Sequence, residues 1–585
     1  MRASTYWRSS SRLSDVMNTK YKTWLNNYLA IETIVKDYCL GNETVGTSSN
    51  NQSQRGRPRS DFNNINLASK KRRVLDLVQT RDCDELEFAA KWSSQKLSDK
   101  DDSTSLSPFD ALALYIDLNL SYRKYNRLRE VINLLHPNTF PSYYKIMKVR
   151  DELLPNTIRS TETVAEVNLQ DLLYKTAESI VKTAERTNKI VTGSSIKLTC
   201  KWGFDGSSGH STYKQKFHNV NDTDEFLFLT ALVPIRLVEV EKQYVIWQNK
   251  TPSSTYFCRP IRLSFIKETS DVVKEEEIRI TQLINNLESS VIKLQEPGSA
   301  VTVSYDMIFT MIDGAVCHTL SGVKSTQTCY ICGATPKLMN LPSVSNRISN
   351  IATSKYGLSS LHNWIRSFEF LLHVAYRLPL KCWQVRGETQ KQIFNENKQK
   401  IQKEFKEKMG LIVDKPKPGF GSTNDGNTAR TFFKNFMLSS EITGIEKSLI
   451  KKFYLINRII SSGFKINIEK FKELLEETNN LYLSLYPWYN IPTSINKILI
   501  HSPELIQSFT LPIEQLSEDA LEGRHKDARN FREQHTRKIS RPDTNYDLIK
   551  ILLLTSDPLI STIRSGNKCK KDVLDPILRQ YLDTE

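Results

Sequence analysis

The chain has 585 residues, enough for several domains, and its 81 Lys and Arg against 65 Asp and Glu give a formal charge of +16, a balance suited to a polyanionic partner. No run of 18 apolar residues reads as a membrane span, the best stretch (Phe368 to Leu380) being broken by Glu369, His373 and Arg377, and no N-terminal apolar segment reads as a secretory signal. Nine cysteines, an odd number with one tight pair, argue against a disulfide scaffold and for a reducing compartment.

In chain order, residues 1–54 hold little core-forming sequence beyond Tyr21 to Leu40 and end in a Ser/Asn-rich linker, Thr44 to Gln54. Residues 55–105 open on Arg55-Gly56-Arg57-Pro58-Arg59. Pro fixes the backbone, Gly allows close approach, and the arginines can reach into a narrow A·T minor groove; the alternative is a solvated basic linker. Lys71, Arg72 and Arg73 suit phosphate contacts or a nuclear-localisation patch. Residues 106–165 read as a helical dimerisation or DNA-binding module, with helices over Pro108 to Leu120, Tyr122 to Leu135 and after Pro141. Residues 164–192 read as one amphipathic helix, the linker helix of segment 166–193.

Residues 194–320 are strand-rich. Ile196, Leu198, Cys200, Trp202 and Phe204 alternate at period two and end on Asp205, before a Gly-Ser-Ser-Gly turn. Phe226 to Val240, Val245 to Gln248, Phe257 to Phe265 and Val301 to Ile312 are further strand candidates, the last leading into Asp313-Gly314, and Glu275 to Gln295 reads as an intervening helix. Residues 321–505, mostly helical, read as an inserted domain, which separates Asp313 from Glu522 by about two hundred positions. Glu522 lies in the helix-compatible, Lys/Arg-rich segment 506–585. A strand Asp, a second strand Asp, a long insertion and a helix Glu form the layout of an RNase H-like core. The fold class expected is α/β multidomain, with helical N-terminal DNA-binding modules.

Three carboxylates in that order suit phosphodiester chemistry. Two Mg²⁺ or Mn²⁺ ions about 3.5–4 Å apart can activate a water or 3′ hydroxyl and stabilise the leaving oxygen, held by a few carboxylates with room for phosphate. Glu518 competes with Glu522, lying four residues earlier on the same helical face. Arg524, Lys526, Arg529 and Arg532 follow Glu522 along the helix, as phosphate contacts or as a solvated face. Cys329 and Cys332 supply half of a tetrahedral zinc site. His362, beside Trp364, reads as a packed helix residue; His210 lies near enough to Asp205 to meet DNA or a water, and His525 reads as a phosphate contact.

Trp202-Gly-Phe-Asp-Gly-Ser-Ser-Gly-His-Ser211 resembles the first catalytic block of the Transib superfamily of DNA transposases, whose wider relatives include the catalytic core of the V(D)J recombinase. Cys258-Arg-Pro-Ile-Arg262, Met311-Ile-Asp-Gly314, Cys329-Tyr-Ile-Cys-Gly333, Leu361-His-Asn-Trp-Ile-Arg366, Asn424-Asp-Gly-Asn-Thr-Ala-Arg430 and residues 493–532 resemble later blocks in the same order. The resemblance runs from about residue 55 to the C-terminus.

It implies a DDE transposase in which Asp205 bridges two metals and Asp313 and Glu522 each complete one site. Gly523-Arg524-His525-Lys526 matches the family's run after its catalytic Glu, which favours Glu522 over Glu518. It also implies nicking at terminal inverted repeats, hairpin formation on the flanking DNA and joining of 3′ ends to target DNA. A homodimer acting in the nucleus without a membrane or an obligatory accessory protein follows. The family completes its zinc site with two downstream histidines; His501 matches the second, while Asn496 stands at the first, so a structural Zn²⁺ here rests on Cys329, Cys332 and His501 with an uncertain fourth ligand. The alternatives from other classes are a domesticated, non-catalytic DNA-binding protein and a partner-dependent recombinase subunit.

Overall fold

The structure, a computed structural model, describes residues 105–136, 138–186, 193–210, 217–341, 351–416, 422–565 and 575–583. The basic arm Arg55, Gly56, Arg57, Pro58 and Arg59, and the cluster Lys71, Arg72 and Arg73, lie outside them. The chain divides into two compact units, residues 1–149 and 150–585.

The described part of the first unit is helical. Helix α1 (Pro108–Asp117) starts at Ser107, whose hydroxyl accepts from Asp110 N, with Pro108 in its first turn, where no N–H is missed. Helix α2 (Tyr122–Leu135) has the bounds its apolar spacing predicts. Helix α3 (Tyr143–Leu153) follows Pro141. Tyr125, fully buried, packs edge-on against Tyr115 and donates its hydroxyl proton to Pro141 O at 2.9 Å.

One eight-stranded sheet organises the second unit. The strands are β1 (Arg159–Ser160), β2 (Val164–Glu166), β3 (Ser195–Ser207), β4 (Leu227–Glu239), β5 (Val245–Gln248), β6 (Arg259–Ser264), β7 (Ser290–Lys293) and β8 (Ala300–Met311). Their spatial order is β1-β2-β6-β4-β3-β8-β7, with β5 paired to β4. β3, β4 and β6 form an antiparallel meander, and β8 lies parallel to β3 on its other side. β4 is a nearly continuous apolar run because both of its faces are covered. Pro234 and Pro260, which cannot donate to a ladder, sit beside register shifts in β4 and β6. Asn249 satisfies the first of these, donating from its side chain to Pro234 O and from its backbone to Ile235 O.

Two helical expectations are corrected. Residues 164–166 are strand β2, and helix α4 (Leu169–Glu185) begins only after Asn168, whose side chain caps it through Asp171 N. The segment expected as one helix to Gln295 is helix α5 (Ser270–Asn285) followed by strand β7, because Asn285 and Asn286 end the helix and Ser290-Val291-Ile292 alternates in burial against β8.

Helix α6 (Gly314–Ser321) follows β8. The helical block comprises α7 (Ser360–Arg377), α8 (Glu388–Met409), α9 (Gly426–Lys434), α10 (Phe436–Thr443), α11 (Lys447–Ile460) and α12 (Ile468–Leu485). Its core is aromatic: Phe368 meets Phe432 at 4.9 Å between ring centroids, and Phe370 meets Tyr482 at 5.0 Å. The chain then makes a π-helical turn over Lys497–His501 and returns to the sheet as α13 (Asp519–Gln534), α14 (Arg541–Thr555) and α15 (Pro558–Ser565). Among the described residues, no helix is long and apolar enough to cross a membrane.

Candidate active site and Cys/His cluster

β3, β6 and β8 all run in one direction, so their C-terminal ends share one edge of the sheet. Asp205 lies near the end of β3 and Asp313 two residues past β8. Between them the strands approach closely: β8 carries a bulge between Phe309 and Met311, and a Cβ on Gly203 would stand 2.0 Å from Met311 O. Helix α13 crosses this edge, packed against β3, β4 and the turn at residues 255–257. Gly523 permits that approach, since a Cβ there would meet Thr255 Cγ2 at 2.7 Å. The result is a cleft of about 200 Å³ lined by Asp205, Asp313, Glu518, Glu522 and His362, with Gly206, Met311, Ile312 and Leu521 as its remaining walls.

Each acid is held differently. Asp313 caps α6, its Oδ1 accepting from Val316 N at 2.8 Å. Burial and then the charge of Asp205 raise its carboxyl above the ordinary range, against that hydrogen bond. Glu522 is exposed at the cleft mouth, yet desolvation and the neighbouring Asp205, Glu518 and Asp519 raise it too, against the pull of His362. Glu518 is buried and accepts at Oε1 from Ser359 and from His362 Nδ1, the latter at 2.5 Å. Burial opposes a charged His362, but Glu518, Asp313 and Glu522 overcome it and hold the imidazole at about 9. His362 thus sits packed on α7, as expected, and also faces the cleft, where it pairs with Glu518.

A further carboxylate escaped the sequence reading. Glu268 follows β6 at the same edge. Gly206 hydrogen-bonds its carboxylate through the backbone, and a Cβ on Gly206 would lie 2.4 Å from Glu268 Oε2. Burial, then the charges of Asp205 and Asp313, push Glu268 up to about 7. Its signal in the sequence is an acid just beyond a strand that runs parallel to β3, legible only once strand directions are known.

The basic residues after Glu522 divide. Arg524 is 1% exposed, donating to Cys258 O at 3.0 Å and Leu552 O and pairing with Asp527 at 2.9 Å. Its expectation as a phosphate contact is corrected: the guanidinium is consumed in tying α13 to α14 and to the start of β6. Arg532 is likewise buried against Asp224. His525 is buried beside Asp205, not on the surface. Lys526 is exposed, and the half-buried Arg529 donates to Ser208 O at 2.9 Å.

Lys201, fully buried on β3, donates to Ser517 O at 2.6 Å. Burial lowers its ammonium to about 8 against the charges of Glu514, Asp519 and Glu518. It joins the strand bearing Asp205 to the residue just before Glu518.

Cys329, Cys332 and His501 converge elsewhere in the same unit, with ligand atoms all within 4.8 Å of one another. The cleft carboxylates are not drawn together to that degree. The hydrogen bond between the two thiols lowers Cys332 and raises Cys329, and one from His501 lowers Cys332 further. The π-helical turn sets Asn496 beside His501, and Asn496 Nδ2 donates to Cys332 Sγ at 3.9 Å. Asn496 Oδ1 and His501 Nε2 are buried without hydrogen-bond partners.

No family model and no curated protein matches the sequence. Solved structures do match. One is the Drosophila P element transposase strand transfer complex, at a TM-score of 0.32 and 10% identity, covering 82% of this chain and 100% of that chain. A likeness of that size leaves the functional reading to the geometry of the cleft.

Proposed function

We propose that the chain is a DDE DNA transposase of the Transib type, with an RNase H-like core. The observation that carries this reading is the convergence of Asp205, Asp313 and Glu522, from two parallel strands and a distant helix, on one cleft. The meander β3-β4-β6 with β8 parallel beside β3 supports the core assignment.

The donor set fits divalent cations. Carboxylate oxygens are the hard ligands that Mg²⁺ and Mn²⁺ prefer, and the raised Asp313, Glu268 and Glu522 mark negative charge that a cation would relieve. Asp205, Asp313 and Glu522 would hold two ions, which supply activation of the attacking oxygen and stabilisation of the leaving one. Glu268 adds a further carboxylate beside Gly206. Glu518, already paired with His362, braces that cation instead of competing for the ions. His362 offers positive charge to a phosphate entering the cleft. Lys526, at the solvent-facing side of α13, suits a contact to the DNA backbone.

In this reading the substrates are terminal inverted repeats and target DNA, gripped further by the Arg55–Arg59 arm and Lys71 to Arg73. The enzyme nicks one strand, turns the freed 3′ hydroxyl on the opposite strand to leave a hairpin, and joins the excised 3′ ends to target DNA. Two ends must be paired, so a homodimer acting in the nucleus completes the picture.

A Zn²⁺ ion fits Cys329, Cys332 and His501, whose soft donor atoms lie within 4.8 Å of one another. Asn496, a poor ligand, makes that site looser than a closed four-ligand one. The functional test is incubation of the purified chain alone with an inverted-repeat duplex and Mg²⁺ or Mn²⁺. Metal-dependent nicks and hairpins are expected; binding without cleavage would identify a DNA-binding protein instead.

A further inference from the structure

Behind Asp205, three side chains stand in a row. Ser207 Oγ lies 2.8 Å from His210 Nε2 and 2.8 Å from His525 Nδ1. His525 Nε2 in turn lies 3.2 Å from Asp205 Oδ2. Both imidazoles are buried, at 5% and 7% exposure.

Proton accounting gives the row a direction. His210 Nδ1 is buried without a hydrogen-bond partner. An unpaired buried N–H is the costlier orphan, so the His210 proton belongs on Nε2, where Ser207 Oγ accepts it. Burial, with His525, Arg529 and Arg532 nearby, holds His210 down at about 3, so it carries one proton at neutral pH. Ser207 then spends its single hydroxyl proton on His525 Nδ1. With Ser207 donating to Nδ1, the His525 proton lies on Nε2, the nitrogen facing the Asp205 carboxylate. That N–H stands at contact distance but out of line for a hydrogen bond. A rotation of the carboxylate about its terminal torsion, which is soft, would align it.

We propose that His210, Ser207 and His525 form a directed strut that aims Asp205, holding Oδ2 against the protein and leaving Oδ1 turned toward the divalent cations. His525 lies one helical turn past Glu522 on α13, so the strut also joins the strand that carries one acid to the helix that carries another. These are positioning residues: none of them meets the reacting atoms. Groups that hydrogen-bond a metal's ligands fix the orientation of those ligands, and here an imidazole fixes a carboxylate instead of the reverse.

This inference rests on the two-cation reading of the cleft, and the test separates the two. Mn²⁺ binding to the purified full chain is measured by electron paramagnetic resonance, beside the Mn²⁺ concentration needed for half-maximal nicking and the thermal midpoint. His525→Leu removes the donor to Asp205, Ser207→Ala breaks the row behind it, and His525→Gln restores an N–H close to the Nε2 position. His525→Leu and Ser207→Ala are expected to raise the Mn²⁺ requirement in both assays by on the order of 10-fold or more, as loss of the groups that hold a metal's ligands does, with His525→Gln near wild type. Ser207→Ala, the smaller change, decides the matter if His525→Leu does not fold. Folded Ser207→Ala protein with wild-type Mn²⁺ affinity overturns the strut and leaves the two-cation reading standing. Asp205→Ala protein that still binds Mn²⁺ and nicks like wild type overturns both, as does a wild-type chain that binds no Mn²⁺.

Discussion

Glu518 and Glu522 stand one helical turn apart and face the same cleft, yet their surroundings differ. Glu518 is buried and matched by a protonated His362, whereas Glu522 is exposed and unmatched except at a distance. Glu518→Gln should therefore weaken nicking by roughly tenfold through a less firmly held His362, with a Mg²⁺ requirement close to wild type. Complete loss of activity in that variant, with Glu522→Gln active, would exchange the two roles. Glu268 carries a prediction about pH. Its folded value of about 7 stands above its ordinary 4.5. Between those values the folded chain holds more protons than the unfolded one, so this group makes stability fall as pH rises through that window. Without divalent cations, Glu268→Gln should melt at the same temperature as wild type near pH 4 and several degrees higher at pH 8. Identical melting curves at pH 8 would show that Glu268 is not under electrostatic load.

Elements meet at points where one atom too many would part them. At Gly203 a Cβ would collide with a backbone carbonyl on β8, which has no rotamer to escape into. Gly203→Ala should cost about 3 kcal/mol or more in chemical denaturation and abolish nicking, since the two strands it wedges apart carry Asp205 and Asp313. Stability within about 0.5 kcal/mol of wild type would mean that the β3–β8 bulge can relax. The π-helical turn makes a second such junction, linking the CxxC segment to the chain that returns toward α13. With Asn496 at the fourth position, the purified protein should carry less than one zinc per chain. Asn496→His should raise both zinc content and melting temperature. Full zinc occupancy in the wild type by elemental analysis, unchanged by that substitution, would point to a different fourth ligand.

Across the molecule, what the sequence revealed followed the range of the interactions involved. The strands over 195–207 and 300–311 were legible from alternation, and helices such as Tyr122–Leu135 and Lys447–Ile460 from apolar spacing, because these patterns are local. The breaks at residues 167–168 and 286–289 were hidden, since short edge strands owe their form to the neighbours they pair with. Asp205, Asp313 and Glu522 could be named from order and motif, and they line one cleft. Glu268, the His362–Glu518 pair and the burial of Arg524 depend on which strand ends share an edge and which helix face turns inward, and a single chain's periodicity does not encode those relations for polar residues. The central claim, that three acids from remote segments act as one metal-dependent centre, is tested most directly by one series: Asp205→Ala, Asp313→Ala and Glu522→Gln assayed for Mg²⁺-dependent nicking of an inverted-repeat duplex, with DNA binding measured in parallel. The account predicts that each single variant binds DNA like wild type and nicks on the order of 10³-fold more slowly or not at all, because acids sharing two ions fail together. A folded variant of any of the three that nicks at the wild-type rate would contradict it.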